Sequence, residues 1–307
     1  MATIVGRPEM ELLEGTDGAD VIVTNGAIEV DAHGGDDLVC VTGKAPPFGA
    51  SVVLGPGSDQ LLGNLSGDDY VYADDEAEGE VDRDIIFTGG GNDYVATGSQ
   101  ERGAIASQDQ IELGGGRDHL NLNGPVSLAA TSSGGAGRDL IYWPAIAPRG
   151  VAVAVDNVRE ELRLNDDVVM EWDGFEIFRA LPGIQGPFTF RGSSQGETLG
   201  GPVFFVEDRW KVDVRMGGGR DWVTIIITGA GAGTQIDGGG GADRLIAHSL
   251  DSAVVRGGVA IYGRAGNDRL IGSDRSDRLR GGRGHDVADG RDATDQCRAE
   301  VRTRCES

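Results

Sequence analysis

An aspartate recurs every nine residues near the C-terminal end of the chain, and each one closes a block that begins with glycine. The four blocks run from Gly263 to Asp268, Gly272 to Asp277, Gly281 to Asp286 and Gly290 to Asp295. A short period kept over successive copies is typical of a repeat fold, in which each repeat stacks on the next. Glycine adopts positive φ without steric cost and so favours tight turns. The period therefore predicts a solenoid of short strands joined by glycine turns.

The same pattern extends over most of the chain, with perfect G-G-x-G-x-D copies and looser ones. The residue two positions after each sixth-position aspartate is apolar or a cysteine. Because 39% of the residues are of that class, chance would give such a run on the order of once in a hundred thousand. Alternate residues of a strand point to opposite faces, so this residue is predicted to face a core. The thirteen aspartates are Asp20, Asp37, Asp59, Asp69, Asp93, Asp118, Asp139, Asp221, Asp243, Asp268, Asp277, Asp286 and Asp295.

The intervals between these aspartates indicate how the solenoid is wound. Asp93, Asp118 and Asp139 follow at intervals of 25 and 21 residues, whereas Asp268 and Asp286 are 18 apart. Two nine-residue repeats make one coil of 18, so we interpret the longer intervals as coils with inserted residues. With 52 glycines and many short β-branched runs, the chain is predicted to be all-β, a parallel β-helix or β-roll solenoid with glycine-aspartate turns.

The sixth-position aspartates are candidate metal ligands. A glycine turn presents backbone carbonyl oxygens, and the aspartate adds a carboxylate. Hard oxygen ligands of this kind suit calcium. We therefore predict that all thirteen aspartates bind calcium and that calcium is the cofactor.

The charge of the chain agrees with a cation partner. The formal net charge is −23, and residues 263–307 contain ten arginines against nine acids, so residues 1–262 carry −24. Stacked carboxylates repel one another and oppose compaction unless a cation neutralises them, so folding is expected to depend on metal. The same charge argues against nucleic acid as a partner, because phosphates require a basic surface.

The repeat resembles the RTX or haemolysin-type calcium-binding nonapeptide, G-G-x-G-x-D-x-U-x with U apolar. The resemblance covers most of the chain, is strongest from residue 216 onward and weakest over 144–215. It implies a parallel β-roll in which the sixth-position aspartates and turn carbonyls of adjacent coils bind calcium, and it implies nothing about a substrate. The chain also resembles secreted actinobacterial calcium-binding proteins.

We expect a single solenoid domain over residues 1–307, because a solenoid grows by repetition and needs no second core. Its predicted parts are degenerate calcium-binding repeats over 1–143, motif-poor coils over 144–215, calcium-binding nonapeptides over 216–296 and a disulfide cap over 297–307.

The three cysteines point to an oxidising compartment. Cys297 and Cys305 lie eight residues apart, a spacing that suits a short disulfide loop, although each could instead be a small buried hydrophobe. Cys40 is left over. In the proteins that the chain resembles, its partner often lies just upstream of an Ala-Thr-Ile-Val-Gly start, so we expect a trimmed precursor. A disulfide favours export and an extracellular location.

Two segments interrupt the repeat: one contains several aromatic residues and the other is acidic. Between Asp139 and Asp221, Gly192 to Glu197 followed by Leu199 resembles a decayed copy with glutamate at the sixth position. The aromatic residues Trp143, Trp172, Trp210 and Phe204 either pack a calcium-free core there or line a ligand groove. The acidic run from Asp74 to Asp84 is interpreted as a solvated loop, with extra weak calcium binding as the alternative.

No sequence motif for catalysis stands out. The chain has neither H-E-x-x-H nor G-x-S-x-G, the signatures of zinc proteases and serine hydrolases, and we expect no enzymatic activity. No run of 18 apolar residues predicts a membrane span. The predicted function is a secreted, calcium-folded structural or adhesive module, expected to be a monomer. The alternative is a polysaccharide-binding or polysaccharide-modifying β-helix protein with its site in residues 144–215, which leaves an extracellular polysaccharide or cell-surface partner open.

Overall fold

The computed structural model describes residues 2–8, 10–43, 49–73, 83–98, 108–123, 130–143, 149–180, 184, 186–206, 211–229, 233–249 and 257–306. The described residues form strands and turns without an α-helix. Among them, therefore, no helix could cross a membrane. The chain divides into two compact units, Met1–Pro144 with Val169–Phe175, and Ala145–Val168 with Glu176–Ser307. The single domain over 1–307 stays a prediction.

The first unit is built from parallel sheets whose strands succeed one another coil by coil. Sheet 1 has the order β1-β3-β5-β7-β9-β12-β15, sheet 2 the order β2-β4-β6-β8-β11-β14-β17, and sheet 3 the order β10-β13-β16. The strands are β1 Ala2–Val5, β2 Leu12–Thr16, β3 Asp20–Val23, β4 Glu29–His33, β5 Leu38–Cys40, β6 Ala50–Val53, β7 Gln60–Leu62, β8 Asp69–Ala73, β9 Ile85–Phe87, β10 Gly90–Gly91, β11 Tyr94–Thr97, β12 Gln110–Glu112, β13 Gly115–Gly116, β14 His119–Leu122, β15 Thr131–Ser133, β16 Ala136–Gly137 and β17 Leu140–Trp143.

The second unit repeats this plan with two parallel sheets. Sheet 4 has the order β18-β22-β24-β26-β28-β30-β32, and sheet 5 the order β21-β23-β25-β27-β29-β31-β33. The strands are β18 Val153–Asp156, β19 Glu161–Leu164, β20 Asp167–Asp173, β21 Ile177–Ala180, β22 Phe188–Arg191, β23 Thr198–Val206, β24 Val212–Arg215, β25 Trp222–Gly229, β26 Gln235–Gly240, β27 Arg244–Ser249, β28 Ala260–Ala265, β29 Arg269–Ile271, β30 Arg278–Arg283, β31 Val287–Asp289, β32 Gln296–Arg298 and β33 Val301–Thr303.

Two of these strands depart from the plan. β19 is antiparallel to β18, with Val153 opposite Leu164. Most of β20 belongs to the first unit, which contains Val169–Phe175, and there Glu171 pairs with Thr131 of β15. The β18–β19 hairpin lies in the part of the sequence where the repeat pattern fades.

The core of each unit is a set of apolar files that run from coil to coil. Ile22, Val39 and Leu61 are in register on neighbouring strands of sheet 1. Burying one such side chain stabilises the fold by about 1.5–3 kcal/mol. The prediction that the residue two positions after each aspartate faces the core is confirmed, since Cys297 is 6% exposed and the other twelve are 0% exposed: Ile22, Val39, Leu61, Val71, Val95, Leu120, Ile141, Val223, Leu245, Leu270, Leu279 and Ala288.

Aromatic side chains fill the core where the repeat fades. In the first unit the rings of Trp143 and Trp172 are 5.9 Å apart, and both side chains are buried. In the second unit Phe178 and Phe190 are 5.3 Å apart and also buried. For Trp143 and Trp172 the packing interpretation is therefore confirmed. Trp210 and the side chain of Phe204 lie outside the part of the chain that is described.

The predicted disulfide between Cys297 and Cys305 is present, with a Cα–Cα distance of 5.8 Å. Cys297 lies in register with Leu279 of β30 and closes the apolar file of sheet 4. Cys40 is a free thiol of intermediate exposure on β5.

Candidate metal centre

The sixth-position aspartates of the first unit form two hydrogen-bonded ladders, each along one corner of the coils. The backbone N–H of one aspartate donates to Oδ1 of the equivalent aspartate one coil further on. In ladder 1 the distance from Asp20 N to Asp37 Oδ1 is 2.7 Å, and in ladder 2 that from Asp93 N to Asp118 Oδ1 is 2.8 Å. Ladder 1 contains Asp20, Asp37, Asp59, Asp84 and Asp109, and ladder 2 contains Asp69, Asp93, Asp118 and Asp139.

The second unit has two ladders of the same kind. Ladder 3 contains Glu197, Asp221, Asp243, Asp268 and Asp286, and the Asp286 N–H donates to Glu300 Oε2 at 2.8 Å. Ladder 4 contains Asp277 and Asp295, and the Asp295 N–H donates to Glu306 Oε2 at 2.6 Å. Partners in ladders 2 and 3 lie 18 to 25 residues apart in the chain, which confirms that the longer intervals are single coils with insertions.

Every predicted aspartate lies inside the fold. All thirteen are at most 3% exposed, although carboxylates are almost never fully buried unless they are paired. At each position after the first of a ladder, the ladder bond satisfies one carboxylate oxygen. At the first positions Asp69 and Glu197, one oxygen accepts instead from the backbone N–H of Asn64 or Ser193. Among the described residues, a second oxygen is buried without a hydrogen-bond partner at Asp37, Asp69, Asp93, Asp118, Glu197, Asp221, Asp243, Asp268, Asp286 and Asp295.

Asp109 and Asp277 have hydrogen bonds to both carboxylate oxygens. Asp109 Oδ1 accepts from the Asp84 N–H and Asp109 Oδ2 from the Thr97 hydroxyl, and Asp277 Oδ1 accepts from the Val259 N–H at 2.7 Å. Asp277 Oδ2 accepts from the backbone N–H of Ser273 at 2.6 Å. These two sites therefore differ from the others in what their carboxylates can still bind.

Burial in the ladders makes it costly to keep the carboxylates ionised. Loss of hydration raises the pKa of Asp69 and of Asp118 to about 7 and the pKa of Asp221 to about 8. A backbone N–H donor partly opposes each shift, and it belongs to Asn64 for Asp69, to Asp93 for Asp118 and to Glu197 for Asp221. The neighbouring carboxylates add to the shift. Carboxylates that are buried next to one another are neutralised either by protons or by a bound cation.

Glycine is required beside the ladders for two reasons. A Cβ on Gly281 would overlap the Oδ2 atom of Asp286, so this residue, the first of its repeat, must lack a side chain. At the fourth position, Gly116 has φ +151° and a Cβ there would overlap the carbonyl oxygen of Gly91 one coil earlier. The glycines thus let successive turns stack in contact.

The carboxylate and carbonyl oxygens along the ladders are of the kind that calcium binds. Calcium binds six to eight oxygens, and backbone carbonyls are common among them. The turn carbonyl of Gly89 accepts from Gly115 N, and that of Gly217 accepts from Gly240 N; each keeps a second lone pair. Among the described residues no three His, Cys, Asp or Glu side chains cluster as a metal site. Carbonyl oxygens would therefore have to supply most ligands of any ion.

The ladders contain two residues that the sequence pattern did not indicate, Asp84 and Asp109, and they also include Glu197, the sixth residue of the decayed copy. Asp84, Asp109 and Glu197 are buried and hold ladder positions in register with the predicted aspartates. The interpretation of Asp84 as part of a solvated loop is wrong, because it is 0% exposed; residues 74–82 of that run lie outside the described part of the chain. Each of the three is followed two positions later by an apolar residue, Ile86, Ile111 or Leu199. The offset alone would have found them.

Comparison with known families agrees with this geometry. Residues 72–101 and 261–297 match the family model of the RTX calcium-binding nonapeptide repeat, in four copies. No curated protein matches the chain. The chain therefore carries RTX calcium-binding repeats in a β-solenoid fold, which defines it as a calcium-binding repeat protein. Such repeats, like disulfide bonds, are typical of extracellular proteins.

Proposed function

We propose that the protein is a secreted structural or adhesive module that folds when it binds calcium outside the cell. The observation that carries the proposal is the set of buried carboxylate ladders. Within the described ranges, their second oxygens have no hydrogen-bond partner at most positions. An unpaired buried carboxylate is strongly unfavourable. The proposal accounts for this arrangement, because a divalent ion supplies the missing charge and partner.

The ligands would be the thirteen predicted aspartates together with Asp84, Asp109 and Glu197. Positions with a free second oxygen, such as Asp243 and Asp286, offer the better ligands. Asp277 offers less, because Ser273 already occupies its Oδ2. When bound, calcium would neutralise the stacked carboxylates, while the turn carbonyls complete its coordination. Since the motif carboxylates stand in these ladders, a structural role explains them better than a catalytic one.

The proposal is tested by far-ultraviolet circular dichroism of the protein in chelator and in calcium. We expect little β structure in chelator and a cooperative gain on adding calcium, with affinities of about 10⁻⁴ to 10⁻³ M, as for extracellular calcium modules. Magnesium at the same concentration is the control, since it demands a small octahedral site. Identical spectra in chelator and in calcium would refute calcium-dependent folding.

A further inference from the structure

The outer face of sheet 4 carries a group of arginines near the C-terminal end of the second unit. On β30 and β32 the inward residues are Leu279 and Cys297, and the residues beside them are exposed. Arg280 is in register with Arg298, and Arg278 lies two residues before Arg280 on the same face. We call Arg278, Arg280 and Arg298 the arginine face.

These three arginines have no acidic partner in the part of the chain that the structure describes. Arg264, on the same sheet, pairs with Asp237 at 2.6 Å. Among the described residues, no carboxylate lies within ion-pair distance of the arginine face. The carboxylates that balance these arginines in the sequence, such as Asp277, Asp286 and Asp295, are buried in the ladders. The surface here is therefore positive, although the whole chain carries −23.

The arrangement weakens the sheet. Neighbouring strands are about 4.8 Å apart, so the Arg280 and Arg298 side chains leave the sheet side by side. Like charges placed directly across a strand pair are destabilising. An anion bound between the two guanidinium groups would replace their repulsion with attraction. Guanidinium groups bind carboxylate and sulfate groups through two parallel hydrogen bonds.

A polar depression adjoins the arginine face. It has a volume of about 370 Å³, and Lys211, Gln235, Arg278 and Gln296 line it. Thr234 also lines it, and the Thr234 hydroxyl is buried without a hydrogen-bond partner among the described residues. Amide and hydroxyl groups both donate and accept hydrogen bonds, which suits a partner rich in hydroxyl groups.

We infer that the arginine face and this depression bind an anionic glycan. Its carboxylate or sulfate groups pair with Arg278, Arg280 and Arg298, and its sugar hydroxyls bond to Gln235, Gln296 and Thr234. The inference deepens the adhesive part of the proposed function, on which it rests, by naming the class of ligand. Duplex nucleic acid fits less well, because its binding uses many phosphate contacts and would bring phosphates against a chain that is acidic elsewhere.

The test measures binding of immobilised polymers to the calcium-saturated protein at an ionic strength of about 0.1 M. The probes are hyaluronan, which carries carboxylates, dextran sulfate, which carries sulfates, neutral dextran and duplex DNA. We expect binding to hyaluronan or dextran sulfate and none to neutral dextran. The double variant Arg280→Glu/Arg298→Glu should lower the affinity at least about tenfold.

The matched control is Arg269→Glu/Arg302→Glu, which makes the same change of charge at exposed arginines on strands of sheet 5. It should change the affinity less than about twofold. Equal losses in both double variants, unchanged binding in the first, or tighter binding to DNA would overturn the inference. Self-association that Arg280→Glu/Arg298→Glu abolishes, measured by sedimentation velocity, would also overturn it by assigning the face to a second copy.

Circular dichroism of each variant with and without calcium separates the two proposals. If the spectra do not respond to calcium but the glycan binds through the arginine face, the calcium-folding proposal fails and the glycan inference holds. If folding depends on calcium and no anionic glycan binds the folded protein, the glycan inference alone fails.

Discussion

At the scale of single residues, the first glycine of a repeat and its sixth-position aspartate act as a pair. The Asp286 carboxylate lies over the Cα atom of Gly281, and the Asp243 carboxylate lies over Gly238 in the same way. Neither glycine has a positive φ. These positions therefore require glycine for space, whereas the fourth position requires it for both conformation and space.

This pairing predicts the effect of a single methyl group. Gly281→Ala should destabilise the calcium-bound protein by about 1–3 kcal/mol, because the new Cβ displaces the Asp286 carboxylate. The control is Gly240→Ala, since a Cβ there meets no atom within 4 Å and the substitution should cost less than about 0.5 kcal/mol. Thermal unfolding in calcium measures both. Equal destabilisation by the two substitutions would contradict the steric pairing.

At the scale of the elements, the proposed function makes protons compete with calcium for the ladders. Asp69, Asp118 and Asp221 have pKa values raised to about 7 or 8, whereas an aspartate in the unfolded chain titrates near pH 4. Between these values the folded, calcium-free state binds more protons than the unfolded state. Its free energy of unfolding therefore falls as the pH rises.

We accordingly expect the protein in chelator to show more β structure at pH 5 than at pH 8, measured by far-ultraviolet circular dichroism. With calcium the order should reverse, because the ion binds the deprotonated carboxylates. Repeating both series at high salt separates this effect from surface repulsion, which salt screens more than it screens buried charges. A content of β structure in chelator that increases from pH 5 to pH 8 would show that the ladders are not protonated.

The ladders also show what sequence reasoning could and could not find. The offset from aspartate to buried apolar residue predicted all thirteen core positions, because strand alternation is a local property. Asp84 and Asp109 were missed because no glycine block precedes them. Their ladder positions follow from pairing with residues 25 positions away, and coil lengths that vary with each insertion conceal that pairing.

At the scale of the whole molecule, the distribution of charge depends on which carboxylates are buried. Sequence counts gave residues 263–307 a nearly neutral balance. The fold buries Asp268, Asp277, Asp286 and Asp295, whereas Arg278, Arg280 and Arg298 are exposed. No count along the chain reveals this separation, because the ladders bury the aspartates of the turns while the arginines lie on the exposed face of sheet 4.

The most direct test of the account is the location of calcium itself. Anomalous diffraction at long wavelength from crystals grown in calcium would identify each ion. We expect peaks about 2.3–2.6 Å from the second carboxylate oxygens of Asp243, Asp268 and Asp286, with turn carbonyls completing the coordination. Peaks confined to exposed carboxylates, or ladders without any peak in saturating calcium, would contradict the claim that the ladders are the calcium sites.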